Sequence, residues 1–331
     1  MKTKILYSVV TDEKDFYLEQ LLMSLYSLRI KNPSAHVTLV VDSQTNSSLV
    51  SGREKVKDYV DDLVSIDTPA GLNKKQRSRW LKTSIRNIVD GDYLFIDSDT
   101  VIADSLEDID NCEYDFAAVL DRHLPVSLHP KRASLLEQFE FAGITPRFDD
   151  DSYFNSGVML VKDTLANRKL YSLWFEGWNS SRVKKIDIDQ PALANANSEQ
   201  GFIIKQLGGE WNCQICGNGL RFLQKAKIIH YYNSNSRRDY TSNPYLFSND
   251  VLYKEIRNNK YIIPSAILDM IKDPKSQFAQ RYDILSDDLY EAFNSPFINE
   301  LFLHYARHDR EYKILSKYLS LRKKLRKLIK S

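Results

Sequence analysis

The chain has 331 residues, of which 43% are hydrophobic and 11% aromatic, enough for one large domain with an appendage or for two domains. Its net charge of +2 combines a basic segment, residues 311–331, which carries eight Lys or Arg against one Glu, with a body of net charge −5. A mildly acidic body argues against nucleic-acid binding, whereas the basic tail is typical of a segment that contacts an anionic surface.

The three cysteines are too few, and odd in number, for a disulfide framework, which is typical of a reducing compartment. Cys213 and Cys216 have redox or zinc spacing, but a single Cys-x-x-Cys is a weak signal, and we interpret the pair as packing. The start of the chain lacks the apolar segment of a signal peptide, and no apolar run approaches the length of a membrane span. We therefore expect a cytoplasmic protein. Its basic tail is a candidate for peripheral attachment to the cytoplasmic face of the inner membrane.

Strand and helix patterns alternate in the first part of the chain. Residues 5–10 predict a strand, and leucines at helical spacing from Leu18 to Leu28 predict an amphipathic helix. Residues 36–41 and 63–66 predict two further strands. This order indicates an α/β fold with parallel pairing and right-handed crossovers.

A helix is predicted over residues 73–89, directly before the strand that we expect at the centre of the sheet. It carries Arg79, Lys82 and Arg86, which lie three and four residues apart and therefore share one face. Two interpretations stay open for Arg79 and Lys82: a solvated surface, or cations that neutralise an anionic ligand. For Arg86 we favour the solvated surface.

The strongest chemical signal is an apolar strand, residues 93–97, that ends on acids. Asp97 and Asp99 stand at i and i+2, and because successive strand side chains alternate faces, both carboxylates are predicted to point the same way. The alternative is a solvated strand end. The strand pattern is that of a buried parallel strand, however, and α/β folds bind ligands at the carboxyl ends of such strands. Two carboxylates at this place repel each other unless a cation binds them. A hard divalent cation that also binds phosphate oxygens of a ligand would meet this requirement.

Polar groups also stand at the ends of later strands. One strand is expected to end at Asp121, and another, over residues 153–161, begins with Asn155-Ser-Gly157. Glycine at a strand start allows close backbone approach, and an amide offers both a donor and an acceptor to a hydroxylated ligand. We therefore regard Asn155 as a candidate binding residue.

Helices are predicted over residues 131–142 and 165–178. Another helix is expected to begin at Asp189, with this residue as its N-cap and Pro191 at its first position. The acidic run 149–151 is interpreted as a solvated turn.

The last strand of the body, residues 227–230, ends at His230. A lone histidine is more often structural than a ligand, but this one ends a strand, as Asp97 does. Beyond it, residues 241–310 predict a helical C-terminal region and residues 311–331 a basic amphipathic tail, which either lies on a membrane or packs on the body with a solvated basic face. The apolar stripe of the tail consists of Ile314, Tyr318, Leu321, Leu325 and Leu328.

Four segments carry a resemblance to a known family. They are, in order, Tyr93-Leu-Phe-Ile-Asp-Ser-Asp99, Tyr153-Phe-Asn-Ser-Gly157, Asp189-Gln190 and His230. Over residues 4–235 the chain resembles retaining glycosyltransferases with a GT-A fold, specifically glycosyltransferase family 8, which includes glycogenin and bacterial lipopolysaccharide galactosyl- and glucosyltransferases. The resemblance implies an α/β catalytic domain over residues 1–240 with a mixed, mostly parallel central sheet and a smaller α-helical C-terminal region.

The resemblance also implies roles for individual residues. Asp97, Asp99 and His230 are similar to the ligands of Mn²⁺, for which Mg²⁺ is a substitute. The residues expected to bind the nucleotide sugar are Val9, Thr11, Arg79, Lys82 and Ser98. Those expected at the transferred sugar are Asp121, Asn155, Asp189 and Gln190. The family usually has a phosphate-binding lysine six residues after its histidine; this chain has Ser236 there, and Arg237 or Arg238 is the candidate replacement.

The activity so implied is metal-dependent transfer of a hexose from UDP-glucose or UDP-galactose to an oligosaccharide or lipid-linked surface glycan. Retention of configuration is implied by the resemblance alone. Two other readings stay open: an inverting GT-A transferase, and a catalytically silent glycan-binding protein of the same fold. A phosphohydrolase with Asp97 as nucleophile is less favoured. The candidate bases for inversion are Asp121, Asp149, Asp150 and Asp151.

Overall fold

The computed structural model describes residues 1–215, 218–231, 250–279, 295–298, 300–301, 310–311, 313–318 and 321–322. The chain divides into two compact units, Met1–Gln280 and Arg281–Ser331. Within the described residues, the first unit contains all the strands, and the short helices between Asp250 and Ala279 belong to it as well. The following positions discussed above lie outside the described residues: Cys216, Ser236, Arg237, Arg238, Leu325 and Leu328.

Two sheets form the framework of the first unit. The strands are β1 (Lys4–Val9), β2 (Val37–Asp42), β3 (Asp62–Ile66), β4 (Tyr93–Ile96), β5 (Thr100–Ile102), β6 (Phe116–Leu120), β7 (Phe154–Val161), β8 (Lys205–Gln206), β9 (Cys213–Gln214) and β10 (Ile228–His230). The main sheet has seven strands in the order β3-β2-β1-β4-β7-β6-β8. Its pairs are parallel except for β4–β7 and β7–β6, which confirms the predicted mixed, mostly parallel sheet. The second sheet, β5-β10-β9, has three strands.

Nine α-helices are described between residues 1 and 279. They are α1 (Tyr17–Lys31), α2 (Ser43–Ser47), α3 (Lys74–Ser84), α4 (Arg132–Ala142), α5 (Leu165–Val183), α6 (Gln190–Glu199), α7 (Asp250–Asn258), α8 (Ser265–Lys272) and α9 (Ser276–Ala279). Of the last three, α7 and α8 lie against α1. None of the helices in the described part of the chain combines the length and the apolar character that crossing a membrane requires.

The core lies on both faces of β1 and β4. In β1, Ile5 and Tyr7 pack into one apolar cluster with α1, while Leu6 packs on the other side with residues of α3 and α5. In β4, Leu94 and Phe95 divide between the same two clusters. Burial on both faces explains why these strands are continuous apolar runs in the sequence.

The helix α3 that carries cations toward the centre of the molecule begins at a capping box. The side chain of Asn73 accepts from Gln76 N at 3.0 Å, and the side chain of Gln76 accepts from Asn73 N at 3.1 Å. The helix ends at Ser84 and continues as a 3-10 turn, Ile85–Asn87, short of the predicted end at residue 89.

The prediction that Arg86 is solvated is wrong. The side chain is fully buried, its guanidinium lies 4.7 Å from the ring centre of Tyr93, and Nη1 donates to Gly91 O at 2.8 Å. The 3-10 turn takes Arg86 under the start of β4, where it also pairs with Asp163. Its role in the described structure is packing.

The acidic segment at the end of β4 also differs from its prediction. The strand ends at Ile96, and Asp97, Ser98 and Asp99 form the turn that leads into β5. Strand alternation is therefore the wrong reason for the two carboxylates to converge. They converge because the tight turn returns the chain beside β10.

Candidate active site

Three potential metal ligands meet where the two sheets adjoin. Asp97, Asp99 and His230 each offer one ligand atom, and these atoms all lie within 4.8 Å of one another. Pairing of β10 with β5 places His230 opposite Thr100, the residue after Asp99, and Tyr231 N donates to Asp99 O at 2.9 Å. Backbone pairing thus brings together residues that are far apart in sequence.

The charges of this cluster are paired with one another. Lys82 Nζ lies 2.9 and 3.0 Å from the two carboxylate oxygens of Asp97, and His230 Nε2 lies 3.2 Å from Asp99 Oδ1. Burial raises the pKa of Asp97, an effect that Asp99 reinforces and Lys82 only partly opposes. Burial also disfavours the ionised form of Asp99, but His230 outweighs it, so the pKa of Asp99 is lowered. The pKa values of the two carboxyl groups are therefore shifted in opposite directions, as is usual for closely spaced acids.

The donor set fits a divalent cation. Two carboxylates and one imidazole are ligands that Mn²⁺ accepts, with Mg²⁺ served by the carboxylates. His230 Nδ1 is hydrogen-bonded to Asn212 Oδ1 at 2.9 Å, which directs Nε2 toward the carboxylates. Asp97 would hold a cation with the same carboxylate that accepts from Lys82.

A cleft of about 660 Å³ opens beside the cluster. Among the predicted nucleotide-sugar residues, Val9, Arg79, Lys82 and Ser98 line it together with Asp97 and Asp99. Thr11 is buried, and its hydroxyl donates at 2.6 Å to Asp15, which is itself a lining residue. Sequence reasoning missed the remaining lining residues, which are Ser8, Val10, Asp15, Tyr17, Lys74, Lys75 and Ser78.

Among the missed residues, Lys74 makes the firmest contacts. Its ammonium lies 2.5 Å from Asp12 and 2.7 Å from Asp15, at the start of the segment after β1. The available signal was its place in the first turn of a helix that also carries Arg79 and Lys82. The cleft wall formed by α3 therefore carries a further lysine, whose charge is paired with these two carboxylates.

The four residues expected at the transferred sugar form a second polar cluster. Asp121 Oδ1 accepts from Asn155 Nδ2 at 3.0 Å and lies 3.5 Å from Gln190 Nε2. Gln190 Nε2 also donates to Phe154 O at 3.1 Å, while Asp121 Oδ2 pairs with His129 at 3.0 Å. Burial opposes ionisation of Asp121, but the bonds from His129 and Asn155 outweigh it, so its pKa is lowered.

Asp189 joins the two clusters through Arg79, which lines the cleft. Arg79 Nε lies 3.0 Å from Asp189 Oδ1, and Ser156 Oγ donates to Asp189 Oδ2 at 3.1 Å. Asp189 occupies the N-cap position of α6, as predicted, but the expected capping role of its carboxylate is wrong because the carboxylate turns to Arg79 and Ser156 instead. Pro191 is the second residue of the helix, not the first.

Two further predictions, for Cys213 and for the acidic run 149–151, can be compared with the structure. Cys213 is buried, its thiol donates to Gly219 O at 3.1 Å, and burial raises its pKa to about 12, which agrees with packing. Asp149 and Asp150 are exposed in a turn, as predicted.

Comparison with known proteins supplies a fold relationship. No protein-family model and no curated protein matches the chain. Among solved structures, it is similar to galactosyltransferase LgtC bound to donor and acceptor sugar analogues, with a TM-score of 0.51 and 13% identity over 81% of this chain and 99% of that one. It is also similar to the apo form of the bifunctional glycosyltransferase WbbM, with a TM-score of 0.51 and 15% identity over 83% of this chain.

The chain spans about half of the WbbM chain, 52% of its length, and nearly all of LgtC. An active-site mutant of LgtC gives the same relationship, with a TM-score of 0.50 and 13% identity over 80% of this chain and 98% of that one. The chain therefore has the GT-A fold that its sequence predicts.

Proposed function

We propose that the protein is a metal-dependent glycosyltransferase that moves a hexose from a nucleotide sugar to a glycan acceptor. The observation that carries this proposal is the convergence of Asp97, Asp99 and His230 beside a cleft of about 660 Å³ whose α3 wall is cationic. The volume of this cleft and the lysine and arginine side chains that line it suit a ligand that contains both a sugar and phosphate groups. Glycosyltransferase structures of the same fold, one of them holding donor and acceptor sugar analogues, support it.

The finer assignment follows from the family resemblance. We propose UDP-glucose or UDP-galactose as donor, an oligosaccharide or lipid-linked surface glycan as acceptor, and Mn²⁺ as the metal, with Mg²⁺ as a substitute. The similarity to a galactosyltransferase supports a hexose donor. Membership of glycosyltransferase family 8 belongs to the same proposal.

The residues of the candidate site would divide the work of transfer among them. Asp97, Asp99 and His230 would hold the cation, which as a Lewis acid would stabilise the diphosphate leaving group. Arg79 and Lys82 add fixed positive charge beside it, so that the developing negative charge meets preorganised partners. Lys75 lies farther toward the first turn of α3 and would attract the nucleotide electrostatically, whereas the charge of its neighbour Lys74 is paired with Asp12 and Asp15.

The sugar itself would be positioned by the second cluster. Asp121 and Asn155 bind each other directly, which fixes both side chains as hydrogen-bonding partners for hydroxyl groups. Asp189 is held by Arg79 and Ser156, and Gln190 is held by Phe154 O, so the pair is rigid beside the donor cleft. We propose these two as the residues nearest the anomeric carbon.

We propose retention of configuration, as the family resemblance implies, and the hydrogen bonds of the candidate bases for inversion support it. Asp121 is already bonded to His129 and Asn155, and its lowered pKa makes it a weak base. Asp149 and Asp150 are exposed, and Asp151 accepts from Ser127. Proton NMR of the product's anomeric centre tests this: a product of opposite configuration to the donor would establish the inverting reaction.

The test of the main proposal is a screen of nucleotide sugars for Mn²⁺-dependent donor hydrolysis and transfer. Asp97→Asn and Asp99→Asn should each abolish the metal-dependent reaction, because each removes a ligand charge and keeps the side-chain volume. Asp99→Asn should leave the fold intact, whereas Asp97→Asn should also lower stability because it removes the counter-ion of the buried Lys82. Asp104→Asn is the matched control, since Asp104 is exposed and lies beyond β5. Near wild-type turnover by either ligand variant would overturn the metal assignment.

Calorimetric titration with nucleotide and Mn²⁺ separates an enzyme from a catalytically silent protein of the same fold. Binding of both without hydrolysis or transfer for any donor in the screen would favour the silent protein. Binding together with Mn²⁺-dependent turnover supports the transferase.

A further inference from the structure

A buried chain of hydrogen bonds connects the sugar cluster with the metal cluster through one residue that neither cluster includes. Asn212 Oδ1 lies 2.9 Å from His230 Nδ1, and Asn212 Nδ2 donates to Asn155 Oδ1 at 3.0 Å. Asn155 in turn donates to Asp121 at 3.0 Å. Asn212 is completely buried in the 3-10 turn Gly209–Asn212 that precedes β9. We propose that Asn212 is a positioning residue that holds His230 in the tautomer able to bind a metal through Nε2.

The direction of every bond in this chain is fixed from the Asp121 end. An ionised carboxylate can only accept, so Asn155 must turn its amide nitrogen toward Asp121. Its oxygen then faces the other way, where it accepts from Gly157 N at 3.0 Å as well as from Asn212 Nδ2. The backbone N–H of Gly157 can only donate, which fixes the same orientation independently.

The orientation of Asn155 then determines that of Asn212. Because Asn155 presents an oxygen, Asn212 must present its nitrogen to it and its own oxygen to His230. An amide oxygen only accepts, so His230 must carry its proton on Nδ1 toward Asn212. Nε2, 3.2 Å from Asp99 Oδ1, is then the nitrogen whose proton a cation would replace at the candidate metal site.

Asn212 acts on the candidate site through the two residues that it bonds, His230 and Asn155. It orients a metal ligand, as outer-shell partners of metal-binding histidines do. It also orders Asn155, which the proposed function assigns to the sugar. The inference deepens the proposed function and rests on it for the metal, whereas the tautomer of His230 is measurable without metal, donor or turnover.

The test compares three substitutions. Asn212→Leu removes both the oxygen that accepts from His230 and the nitrogen that donates to Asn155. Asn212→Asp keeps an acceptor for His230 and removes the donor to Asn155. Asn167→Leu is the control, because Asn167 is equally buried and bonds Asp115 O and Lys162 O, next to the end of β7 farthest from Asn155.

Two readouts apply to each protein. The first is the ¹⁵N shifts of the His230 ring nitrogens in the metal-free protein at a pH where the imidazole is neutral. The second is the affinity for Mn²⁺ alone, from the electron paramagnetic resonance of the free ion. We expect Asn212→Leu to lose the Nδ1–H preference and to bind Mn²⁺ about 10–100-fold more weakly. Asn212→Asp should keep the tautomer and bind Mn²⁺ at least as tightly as wild type, and Asn167→Leu should change neither.

Unchanged Nδ1–H tautomer or unchanged Mn²⁺ affinity in Asn212→Leu would overturn the inference. If Asn212→Leu does not fold, Asn212→Ala removes the same two groups and is read in the same way. If wild-type protein binds no Mn²⁺, the metal part of the proposed function fails. The tautomer then decides the role of Asn212 alone: loss of Nδ1–H in the variant supports it, and its persistence overturns it.

Discussion

Lys82 illustrates how individual charges of the candidate site hold one another in place. Its side chain is 3% exposed, and its ammonium contacts both oxygens of Asp97 and lies 4.9 Å from the ring centre of Phe95. A buried ammonium requires a counter-ion, and Asp97 supplies it. Lys82 and the imidazole of His230 together offset the repulsion between Asp97 and Asp99. The site can therefore fold before a cation binds, and a bound cation competes with Lys82 for Asp97.

The pair of Arg79 and Asp189 leads to a prediction about stability and pH. Burial alone would raise the pKa of Asp189, but Arg79, Lys82 and the hydrogen bond from Ser156 together outweigh burial, with Arg79 the largest of the three, and the pKa is lowered. The ionised carboxylate therefore stabilises the folded protein above about pH 3.9, and this contribution is lost as the pH falls through the lowered pKa of the folded state. We expect Arg79→Met to reduce the free energy of unfolding at neutral pH by about 1–3 kcal/mol, less than for a fully buried pair because 32% of the Arg79 side chain is exposed.

Without Arg79, burial should raise the pKa of Asp189, so the difference between the two proteins should shrink as the pH falls and Asp189 becomes protonated in the variant. Urea unfolding at about pH 7 and about pH 4 measures this difference in the free energy of unfolding. The control is Arg168→Met, whose partner Asp163 lies in a more exposed pair. A stability difference that is constant over this range would contradict the argument.

The residues of the site divide into those that sequence can find and those that it cannot. Asp97 directly follows an apolar strand, Asp99 stands two residues later, and His230 ends another, and this local pattern is visible without a structure. Asn212 and Lys74 carry no such pattern. Asn212 acts through His230 and Asn155, and Lys74 through Asp15, so their importance depends on tertiary contacts between distant parts of the chain.

At the scale of elements, strand and helix types were predicted well because apolar periodicity reports burial. Their ends were less predictable, because turns are decided by contacts with other elements. Asp97 and Asp99 were expected on a strand, and the structure has them in a turn that is held by Gly157 and β10. Asp189 was expected to cap α6, but a nearby guanidinium is a stronger partner for its carboxylate than backbone N–H groups are.

The close approach of β7 and β10 gives a prediction for Gly157. A Cβ at this position would overlap His230 Cε1 and lie 2.9 Å from Asn155 Oδ1. Because His230 is fixed by its own strand, we expect Gly157→Ala to displace the imidazole and to weaken Mn²⁺ binding by about 10–100-fold, as loss of an oriented ligand does. Calorimetric titration of the purified variant with Mn²⁺ measures the affinity.

Gly177→Ala is the matched control, because it adds the same methyl group in α5, where the neighbour is Ala192 Cβ at 3.3 Å. Its Mn²⁺ affinity should equal that of wild type. Equal affinities for all three proteins would mean that His230 adjusts without loss, and that its position is not critical to the metal site.

At the scale of the whole molecule, a GT-A body is joined to a chemically different C-terminal segment. The sheet brings the metal cluster, the cationic wall of α3 and the sugar cluster to one region of the first unit. In the second unit, the described residues between 310 and 322 are helical, and Ile314, Tyr318 and Leu321 are exposed, by 68%, 61% and 62%. Their spacing follows one face of a helix.

This tail leads to the prediction that it binds an anionic membrane. Each basic residue near such a surface contributes about 1 kcal/mol, screened by salt, and the exposed apolar stripe adds insertion into the interface. Truncation after Arg310 removes the net +7 of the tail and should release the protein from anionic vesicles in co-sedimentation. Activity on a soluble acceptor should remain, because the residues of the candidate site lie in the first unit.

A second variant separates the two contributions to binding. Ile314→Ser, Tyr318→Ser and Leu321→Ser, combined in the full chain, keep every basic residue and remove the described part of the apolar stripe. If interfacial insertion matters, this variant should pellet less than wild type, and raised salt should release it more readily, since only screened charge then holds it. Equal pelleting of the full-length and truncated proteins would instead show that the tail does not attach the molecule to the membrane.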